Sequence, residues 1–175
     1  MPLSDVHDIA EVTIEPWQTA ITIMAGDAEK WQPTNRETAD PSMPDPTAVA
    51  LTYGTIHAGH FDDASRHNPD LLALTATVNV NVSAEANRWG PEAMVCKIEV
   101  VTHAGQRYMA EVAYHKDHYQ NPWTDAELEE KFHALAGAVL SPSQADALLE
   151  RLWHLEDVAD MGEVVKLTKM ETCEA

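Results

Sequence analysis

The stretch "MVCKIEVVTHAGQRYMAEVAY", Met94 to Tyr114, decides the fold class. Two apolar runs with a period of two residues, "MVCKIEVVT" and "RYMAEVAY", flank the short segment from His103 to Gln106. Alternation of this length is typical of half-buried strands, and a short glycine-containing loop typically joins antiparallel neighbours. The stretch therefore predicts a β-hairpin in which Gly105 takes a positive φ.

Two further segments alternate in the same way. They are "AEVTIE", Ala10 to Glu15, and "TATVNVNV", Thr75 to Val82, each with an apolar side and a polar side. Alternation with one polar face is typical of antiparallel sheets that are covered on one side only. Together with the hairpin, these segments predict a four-stranded, mainly antiparallel sheet.

Two helices near the end of the chain have clear starting signals. The first begins at Thr124, since Thr124 and Glu127 have the spacing of a capping box, and the second begins at Ser141 with Pro142 in the first helical position. Their short connection predicts an antiparallel helical hairpin. The predicted buried stripes are Leu128, Phe132, Leu135 and Val139 in the first helix, and Ala145, Leu148, Leu149, Leu152 and Leu155 in the second.

Earlier helices are predicted roughly at Trp17 to Met24 and Asp45 to Ala58, with two short pieces between Phe61 and Leu74. A chain of 175 residues that is 45% hydrophobic is long enough for one domain with its own core. We therefore expect a single two-layer α+β domain over residues 1–175. Its four-stranded, mainly antiparallel sheet is covered on one face by helices, and it ends in a helical hairpin.

The charge balance restricts the possible partners. The chain has 29 acidic and 11 basic residues, a net charge of −18, which argues against nucleic acid and anionic membrane as partners. It has no signal-peptide pattern and no long apolar stretch. Cys96 and Cys173 are far apart, and Cys96 lies in an alternating apolar run, so a reducing compartment fits better than a disulfide. These features predict a soluble cytoplasmic protein.

Familiar catalytic patterns are weak in this sequence. A zinc site needs three or four converging ligands. His115 and His118 lie three residues apart in a segment that reads as a loop, and neither this pair nor His57 and His60 has a cysteine or a second histidine pair close beside it in the sequence. The sequence has no glycine-rich phosphate loop and no nucleophile-elbow pattern. From these residues we expect no metal site, and the five tryptophans are interpreted as core and interface anchors.

The segment "NRETADPSMPDPTAVAL", Asn35 to Leu51, raises a different question, because three prolines crowd a polar loop just before an apolar run. Asp45 is a suitable N-cap and Pro46 a suitable first helical residue. By this interpretation the segment is the start of a helix. The predicted buried stripe of that helix is Val49, Ala50, Tyr53 and Ile56.

Nearly the whole chain, in order, resembles the smaller C-terminal domain of the MmgE/PrpD family. The resemblance is carried by "DIAEVTIEPWQTAI", "EKWQPTNRETADPSMP", "AVALTYGTIHAGHFDDA", "GQRYMAEVAYHKDHYQNPWTDAELEEKF" and "LWHLEDVADM". Members of the family include 2-methylcitrate dehydratase, cis-aconitate decarboxylase and iminodisuccinate epimerase. The resemblance implies a lid domain that closes over the active site of a protein with a larger, all-helical domain. It also implies chemistry on small di- or tricarboxylates without metal or organic cofactor.

Two positions depart from the family pattern R-E-T-A-D-H-S-x-P-Y. Pro41 stands at the histidine and Asp45 at the tyrosine. Proline has no titratable group, and an aspartate differs from a phenol in reach and in pKa. The resemblance implies acid–base roles for Asp45 and Lys116. It also implies substrate contacts from the retained residues Arg36, Thr38 and Asp40.

Three hypotheses follow from these observations. The chain is the small subunit or stand-alone lid of an MmgE/PrpD-type lyase or isomerase, inactive until a separately encoded helical-domain subunit joins it. Alternatively, it is a non-catalytic binding or regulatory module, or an independent enzyme whose catalytic residues are unidentified. Trp31, Trp89 and Trp123 are predicted to lie in loops, which favours a partner or a small homo-oligomer.

Overall fold

The computed structural model describes residues 6–33, 35, 39 and 41–170. The chain divides into two compact units, Met1–His115 and Lys116–Ala175. The alternating segments lie in the first unit and the two capped helices in the second. A single domain over residues 1–175 stays a prediction.

The first unit is built around a four-stranded sheet. Its strands are β1 (Ile9–Glu15), β2 (Val78–Val80), β3 (Cys96–Thr102) and β4 (Arg107–Val112), in the spatial order β2-β1-β3-β4. β3 pairs antiparallel with both β1 and β4, whereas β1 and β2 are parallel. The predicted four-stranded, mainly antiparallel sheet in an α+β fold is confirmed.

β2 is much shorter than the predicted strand Thr75 to Val82. Thr75 instead ends the helix Pro69–Thr75, which begins where the Asn68 side chain accepts a hydrogen bond from the Asp70 N–H at 3.0 Å. This cap and the helical spacing of buried Leu71 and Leu74 outweigh the alternation at the start of the segment. The helices between β1 and β2 also provide the crossover that a parallel pair requires.

The predicted hairpin between β3 and β4 is confirmed, and its loop is the predicted segment from His103 to Gln106. Gly105 has φ 79°, and its N–H donates to the Thr102 carbonyl at 2.8 Å. The Thr102 hydroxyl accepts from the Gln106 N–H at 3.1 Å. These bonds hold the register of the two strands.

Short helices connect the strands of the first unit. The predicted helix near the start of the chain and the two short pieces after Phe61 are confirmed, while α5, capped by Ser83, was not predicted. The helices within the described ranges are α1 (Gln18–Met24), α2 (Pro44–Tyr53), α3 (Asp63–Arg66), α4 (Pro69–Thr75) and α5 (Ala84–Trp89), with 3-10 turns at Val6–Asp8, Ala28–Lys30 and Ala58–Phe61.

The core of the first unit lies on one face of the sheet. Val12 lies opposite Val78 and Val100 on its two neighbouring strands, and helices α2 and α4 cover these side chains. The buried cluster is Ile9, Val12, Ile14, Ala48, Val49, Leu71, Leu74, Val78 and Val100. The other face carries polar side chains such as Thr13 and Glu99, so the prediction of one covered face is confirmed.

The second unit contains α6 (Asp125–Ala136), α7 (Pro142–Trp153), a 3-10 turn (Leu155–Asp157) and α8 (Met161–Leu167). Both predicted helix starts are confirmed. Thr124 and Glu127 form a reciprocal capping box, and the Ser141 hydroxyl accepts from the Gln144 N–H. α6 contacts α7, as predicted for a helical hairpin, and the unpredicted α8 packs on α7.

The predicted apolar stripe of α6 is largely wrong, although Phe132 is half-buried, and that of α7 is right only in part. No residue of α6 is buried, and Leu135 is 60% exposed. In α7, Ala145 and Leu148 are buried, but Leu152 is 42% exposed, and so is Leu155, which lies beyond the end of α7 in the 3-10 turn. A unit of this size has few elements with which its helices can share apolar surface, so helical spacing alone overstates burial. Leu128 and Val139 are exposed for the same reason.

None of the helices in the described part of the chain has the length and apolar character that a bilayer crossing requires.

Candidate functional site

The polar loop before α2 does not use Asp45 as an N-cap. The helix begins at Pro44, Met43 occupies the N-cap position, and Asp45 is the second helical residue, so Pro46 is not the first. The prediction is wrong because Ser42 takes the capping role. Its hydroxyl accepts a hydrogen bond from the Asp45 N–H at 3.2 Å.

Ser42 is fully buried and also ties the loop to the preceding structure. Its hydroxyl donates to the Lys30 carbonyl at 2.5 Å, and the neighbouring Met43 N–H donates to the Met24 carbonyl at 2.9 Å. Ser42 was not among the predicted site residues. The spacing of Ser42 and Asp45, a hydroxyl three residues before an acidic residue, is the signal that identifies it.

Asp45 lies in the first turn of α2, where the helix dipole favours a carboxylate, and it is only 7% exposed. The buried residues that follow it are Ala48 and Val49. Tyr53 and Ile56, predicted to be buried, are 44% and 50% exposed. The helix ends after Tyr53, because Gly54 adopts φ 71° and caps it, so the predicted extension to Ala58 is wrong.

The predicted substrate contacts Arg36, Thr38 and Asp40 lie outside the described residues. Their roles stay predictions. Pro41, at the position where the family pattern has histidine, is half-buried at the end of the loop. The described part of the loop therefore contributes one carboxyl group, that of Asp45, and one buried hydroxyl, that of Ser42.

An apolar groove adjoins this loop within the first unit. Its cavity volume is about 610 Å³, and the elements that form it are α1, α2 and the apolar face of β1, β3 and β4. Ser42, Thr47 and Cys96 are its hydroxyl- or thiol-bearing residues, and burial raises the pKa of the Cys96 thiol. The rest of the lining is Ile14, Pro16, Trp17, Ala20, Met24, Met43, Pro46, Ala50, Leu51, Ile56, Met94, Val95, Ile98, Ala110 and Val112.

The chemistry of the groove does not match a carboxylate. Its described lining contains no charged side chain, and an ionised carboxylate without a cation or several hydrogen-bond donors is costly to bury. A small carboxylate therefore has to be bound by other groups. The groove itself is suited to apolar surface.

Lys116, in the second unit, lies in a polar cluster at the start of α6. Its ammonium nitrogen is 2.8 Å from Glu127 Oε1 and 5.6 Å from the centre of the Trp123 ring. The Lys131 ammonium lies 5.2 Å from the same ring centre. An ammonium has three N–H donors, so the ion pair with Glu127 does not by itself exclude a contact between Lys116 and a substrate.

Glu127 is the centre of this cluster. Its Oε2 accepts hydrogen bonds from the Thr124 N–H at 2.9 Å and from the Thr124 hydroxyl at 2.8 Å. The hydrogen bond from Lys116 is the main reason that the pKa of Glu127 is lowered to about 2, and the bonds from Thr124 add to the effect. The cluster fixes the loop of Lys116 to the first turn of α6.

The histidines make local contacts. The His57 and His60 rings lie in a tilted arrangement with centres 3.6 Å apart, and each Nδ1 accepts a hydrogen bond from a backbone N–H. Burial and the nearby His57 lower the pKa of His60, while Asp62 opposes them. In the loop after β4, His118 Nδ1 accepts from the Gln120 N–H at 3.1 Å. Among the described residues, the group spaced to hold a metal is the exposed set His154, Glu156 and Asp157.

The three tryptophans predicted to lie in loops differ in their surroundings. Trp31 packs against the core cluster, and its indole N–H donates to the Ala25 carbonyl at 2.9 Å. Trp123 lies in a loop beside the two lysines. Trp89 is the last residue of α5, not a loop residue, because Ser83 starts an unpredicted helix, and it is 53% exposed. Trp31 and Trp123 thus have local contacts.

Ser42→Ala should lower the free energy of unfolding by about 2 kcal/mol, because it removes a helix cap and leaves the Lys30 carbonyl without its hydroxyl partner. The matched control is Ser83→Ala, which removes one cap bond to Ala86 and should cost about 1 kcal/mol. Urea unfolding of both variants provides the comparison. Equal losses would show that the bond to Lys30 contributes nothing.

Lys116→Met should raise the pKa of Glu127 from about 2 toward the ordinary value of 4.5, since it removes the largest cause of the shift. Lys131→Met is the control and should leave it unchanged, because Lys131 contacts Trp123. A carboxylate with a lowered pKa stabilises the fold fully above pH 4.5, and this stabilisation is lost as the pH falls toward 2. NMR titration of the Glu127 carboxyl carbon measures both variants, and an unchanged value in Lys116→Met would refute the assignment.

The MmgE/PrpD C-terminal domain model matches residues 3–155. This range includes the loop around Ser42 and Asp45 and the cluster around Lys116. A search of the curated proteins found no match.

Proposed function

Because the chain belongs to the MmgE/PrpD C-terminal domain family, we propose that it is the smaller-domain component of a lyase or isomerase that acts on small di- or tricarboxylates. In this proposal the chain acts together with a helical domain of the MmgE/PrpD type, as the resemblance implies. The observation that carries the proposal is the family match across the segment that occupies a catalytic position in the family.

Retained polar residues in that segment support substrate binding. Arg36 offers a planar guanidinium, which binds a carboxylate through two parallel hydrogen bonds, and Thr38 and Asp40 offer further polar contacts. The groove offers a carboxylate no described cation, so the proposal assigns carboxylate binding to Arg36 and not to the groove. In a chain of net charge −18, an anionic substrate has to be attracted by local positive charge, which Arg36 would supply.

Asp45 and Lys116 have different requirements as acid–base groups. Asp45 is nearly buried at the start of α2, so proton transfer requires a substrate that reaches the first turn of that helix. Lys116 is paired with Glu127 at 2.8 Å, so a substrate that its ammonium contacts has to reach the start of α6. Asp45→Asn tests the first role, because it keeps the shape of the side chain and removes the acid.

Apolar surface supports the need for a protein partner. In the second unit Leu135, Val139 and Val165 are each more than half exposed, and the groove adds apolar surface in the first unit. Exposed apolar patches of this kind mark interaction sites in many proteins. A helical domain packed on such surface would remove it from water.

One observation favours a second function, that of a non-catalytic binding or regulatory module. Both family acid–base positions in the loop are altered, to Pro41 and to Asp45, and Asp45 is only 7% exposed. A lid that has lost its acid–base groups can keep its fold and its partner surface. The two functions differ in whether the assembled complex turns over a substrate.

The experiment is reconstitution of the chain with an MmgE/PrpD helical domain from the same source, followed by assays on cis-aconitate, 2-methylcitrate and iminodisuccinate. The enzyme hypothesis expects turnover by the complex and its loss in Asp45→Asn or Lys116→Met. A complex that forms without turnover would support the module instead.

A further inference from the structure

β4 is the end strand of the sheet in the described part of the first unit, and five of its six residues are exposed to solvent. Met109 is 67% exposed and Val112 is 50% exposed. An end strand carries a row of backbone N–H and C=O groups that can pair with another strand. The strand has six residues and contains no proline or glycine that would interrupt such pairing.

The hydrogen-bond alternation along β4 identifies the residues that face the open edge. The Thr102 N–H donates to the Gln106 carbonyl at 2.9 Å, so the backbone N–H and C=O groups of Gln106 are directed toward β3. Along an antiparallel strand, the backbone N–H and C=O groups of successive residues point alternately to one edge and to the other. The backbone groups of Tyr108 and of every second residue after it are therefore also directed toward β3. The backbone groups of Arg107, Met109 and Glu111 are directed toward the open edge.

The sequence of this edge is complementary to itself. In an antiparallel pair of two β4 strands centred on Met109, Arg107 of one copy lies directly opposite Glu111 of the other, and the contact occurs twice. The same register places Met109 opposite its symmetry copy. It also joins the edge-facing backbone groups of both strands, as an antiparallel pair requires.

We propose that the open edge of β4 binds a second copy of this chain, in an antiparallel β4–β4 pair with a two-fold axis at Met109. The pair forms one continuous sheet from the four strands of each copy. Opposite charges directly across a strand pair stabilise it, and two such contacts specify the register. A two-fold contact of this kind closes on itself and produces a dimer.

The charged groups around Arg107 and Glu111 are compatible with this contact. Arg107 already contacts Glu99 of its own chain at 2.8 Å, but a guanidinium has five N–H donors and can serve two carboxylates. Glu111 lies opposite Lys97, and the Lys97 ammonium pairs with Glu15 at 3.4 Å. The described ion pairs of the sheet include none made by Glu111, so its carboxylate is available to a second copy.

Sedimentation velocity of the whole chain at near-physiological salt tests the proposal. The natural chain should form a dimer. Arg107→Glu and Glu111→Arg should each raise the dimer dissociation constant about tenfold or more, because each variant creates two like-charge contacts. The double variant should restore it to within about threefold. Restoration can come only from the contact between copies, since each new charge still faces a like charge, Glu99 or Lys97, within its own chain.

Met109→Lys supplies a second test, because it places two ammonium groups on the axis and should abolish the dimer. Ile23→Lys is the matched control, since Ile23 is 60% exposed on α1, and this variant should remain dimeric. Circular dichroism confirms that each variant is folded. A natural chain that stays monomeric, a dimer that tolerates Met109→Lys, or a charge swap without restoration would each overturn the proposal.

Discussion

Replacing Val12 by asparagine should lower the free energy of unfolding of the first unit by roughly 3–5 kcal/mol. Val12 is fully buried, lies between Val78 and Val100, and is covered by α2 and α4. The change loses the burial of a valine side chain, about 1.5–3 kcal/mol, and it buries an amide without partners, a further cost of about 1–3 kcal/mol. Urea unfolding followed by circular dichroism measures the loss.

The matched control is the neighbouring residue on the same strand. Thr13→Asn introduces the same side chain on the polar face, opposite Asn79 and Glu99, and should change the free energy of unfolding by less than about 1 kcal/mol. A shift of one residue in the register of β1 would exchange the two faces. Equal effects at positions 12 and 13, or a larger one at 13, would therefore contradict the assignment of the core face.

Local patterns predicted the parts of the fold that depend on neighbours in sequence. The hairpin around Gly105 and the capped helix starts at Thr124 and Ser141 were all confirmed, because each depends on a few adjacent residues. The parallel pairing of β1 with β2 was not predicted. Parallel pairing depends on a crossover through several helices, so no pattern within a short segment of the sequence predicts it.

Burial was predicted less well than secondary structure. Helical spacing correctly identified Ala145 and Leu148 as buried, but not Leu135, which is 60% exposed. The period of a helix shows which side chains share a face, whereas burial depends on whether another element covers that face. The sequence alone does not specify this cover.

At the candidate site, too, contacts between residues close in sequence were more predictable than contacts between distant residues. The resemblance to MmgE/PrpD proteins predicted site residues in the loop before α2, and the family match includes that loop. The residue that organises its described part is Ser42, whose hydroxyl bonds the Lys30 carbonyl and the Asp45 N–H. The bond to Asp45 follows a recognisable local spacing, but the bond to Lys30 joins residues twelve positions apart, which no local pattern predicts.

Arg36→Ala should reduce kcat/KM of the reconstituted enzyme by roughly 100-fold or more, if Arg36 binds a substrate carboxylate as the resemblance implies. A charge-assisted, two-bond contact of a guanidinium with a carboxylate is among the stronger polar contacts in proteins, and each 1.4 kcal/mol of lost binding is about tenfold in rate. Arg36→Lys should recover only part of the activity, since lysine keeps the charge but not the planar geometry.

Arg88→Ala is the control for this prediction. Arg88 is exposed in the last turn of α5, so its removal deletes the same charge without changing the loop before α2. Activity within about twofold of the natural chain is expected for this variant, since surface substitutions rarely have large effects. Equal losses in Arg36→Ala and Arg88→Ala would show that only net charge matters, and would remove the proposed contact.

The most direct measurement is turnover of cis-aconitate, 2-methylcitrate and iminodisuccinate by the chain alone and by the chain mixed with an MmgE/PrpD helical domain. The proposed function predicts no turnover above a buffer blank for either part alone, and turnover of at least one compound by the mixture. Turnover by the isolated chain would contradict the need for a helical domain. A stable mixture without turnover of any of the three would contradict the enzymatic role.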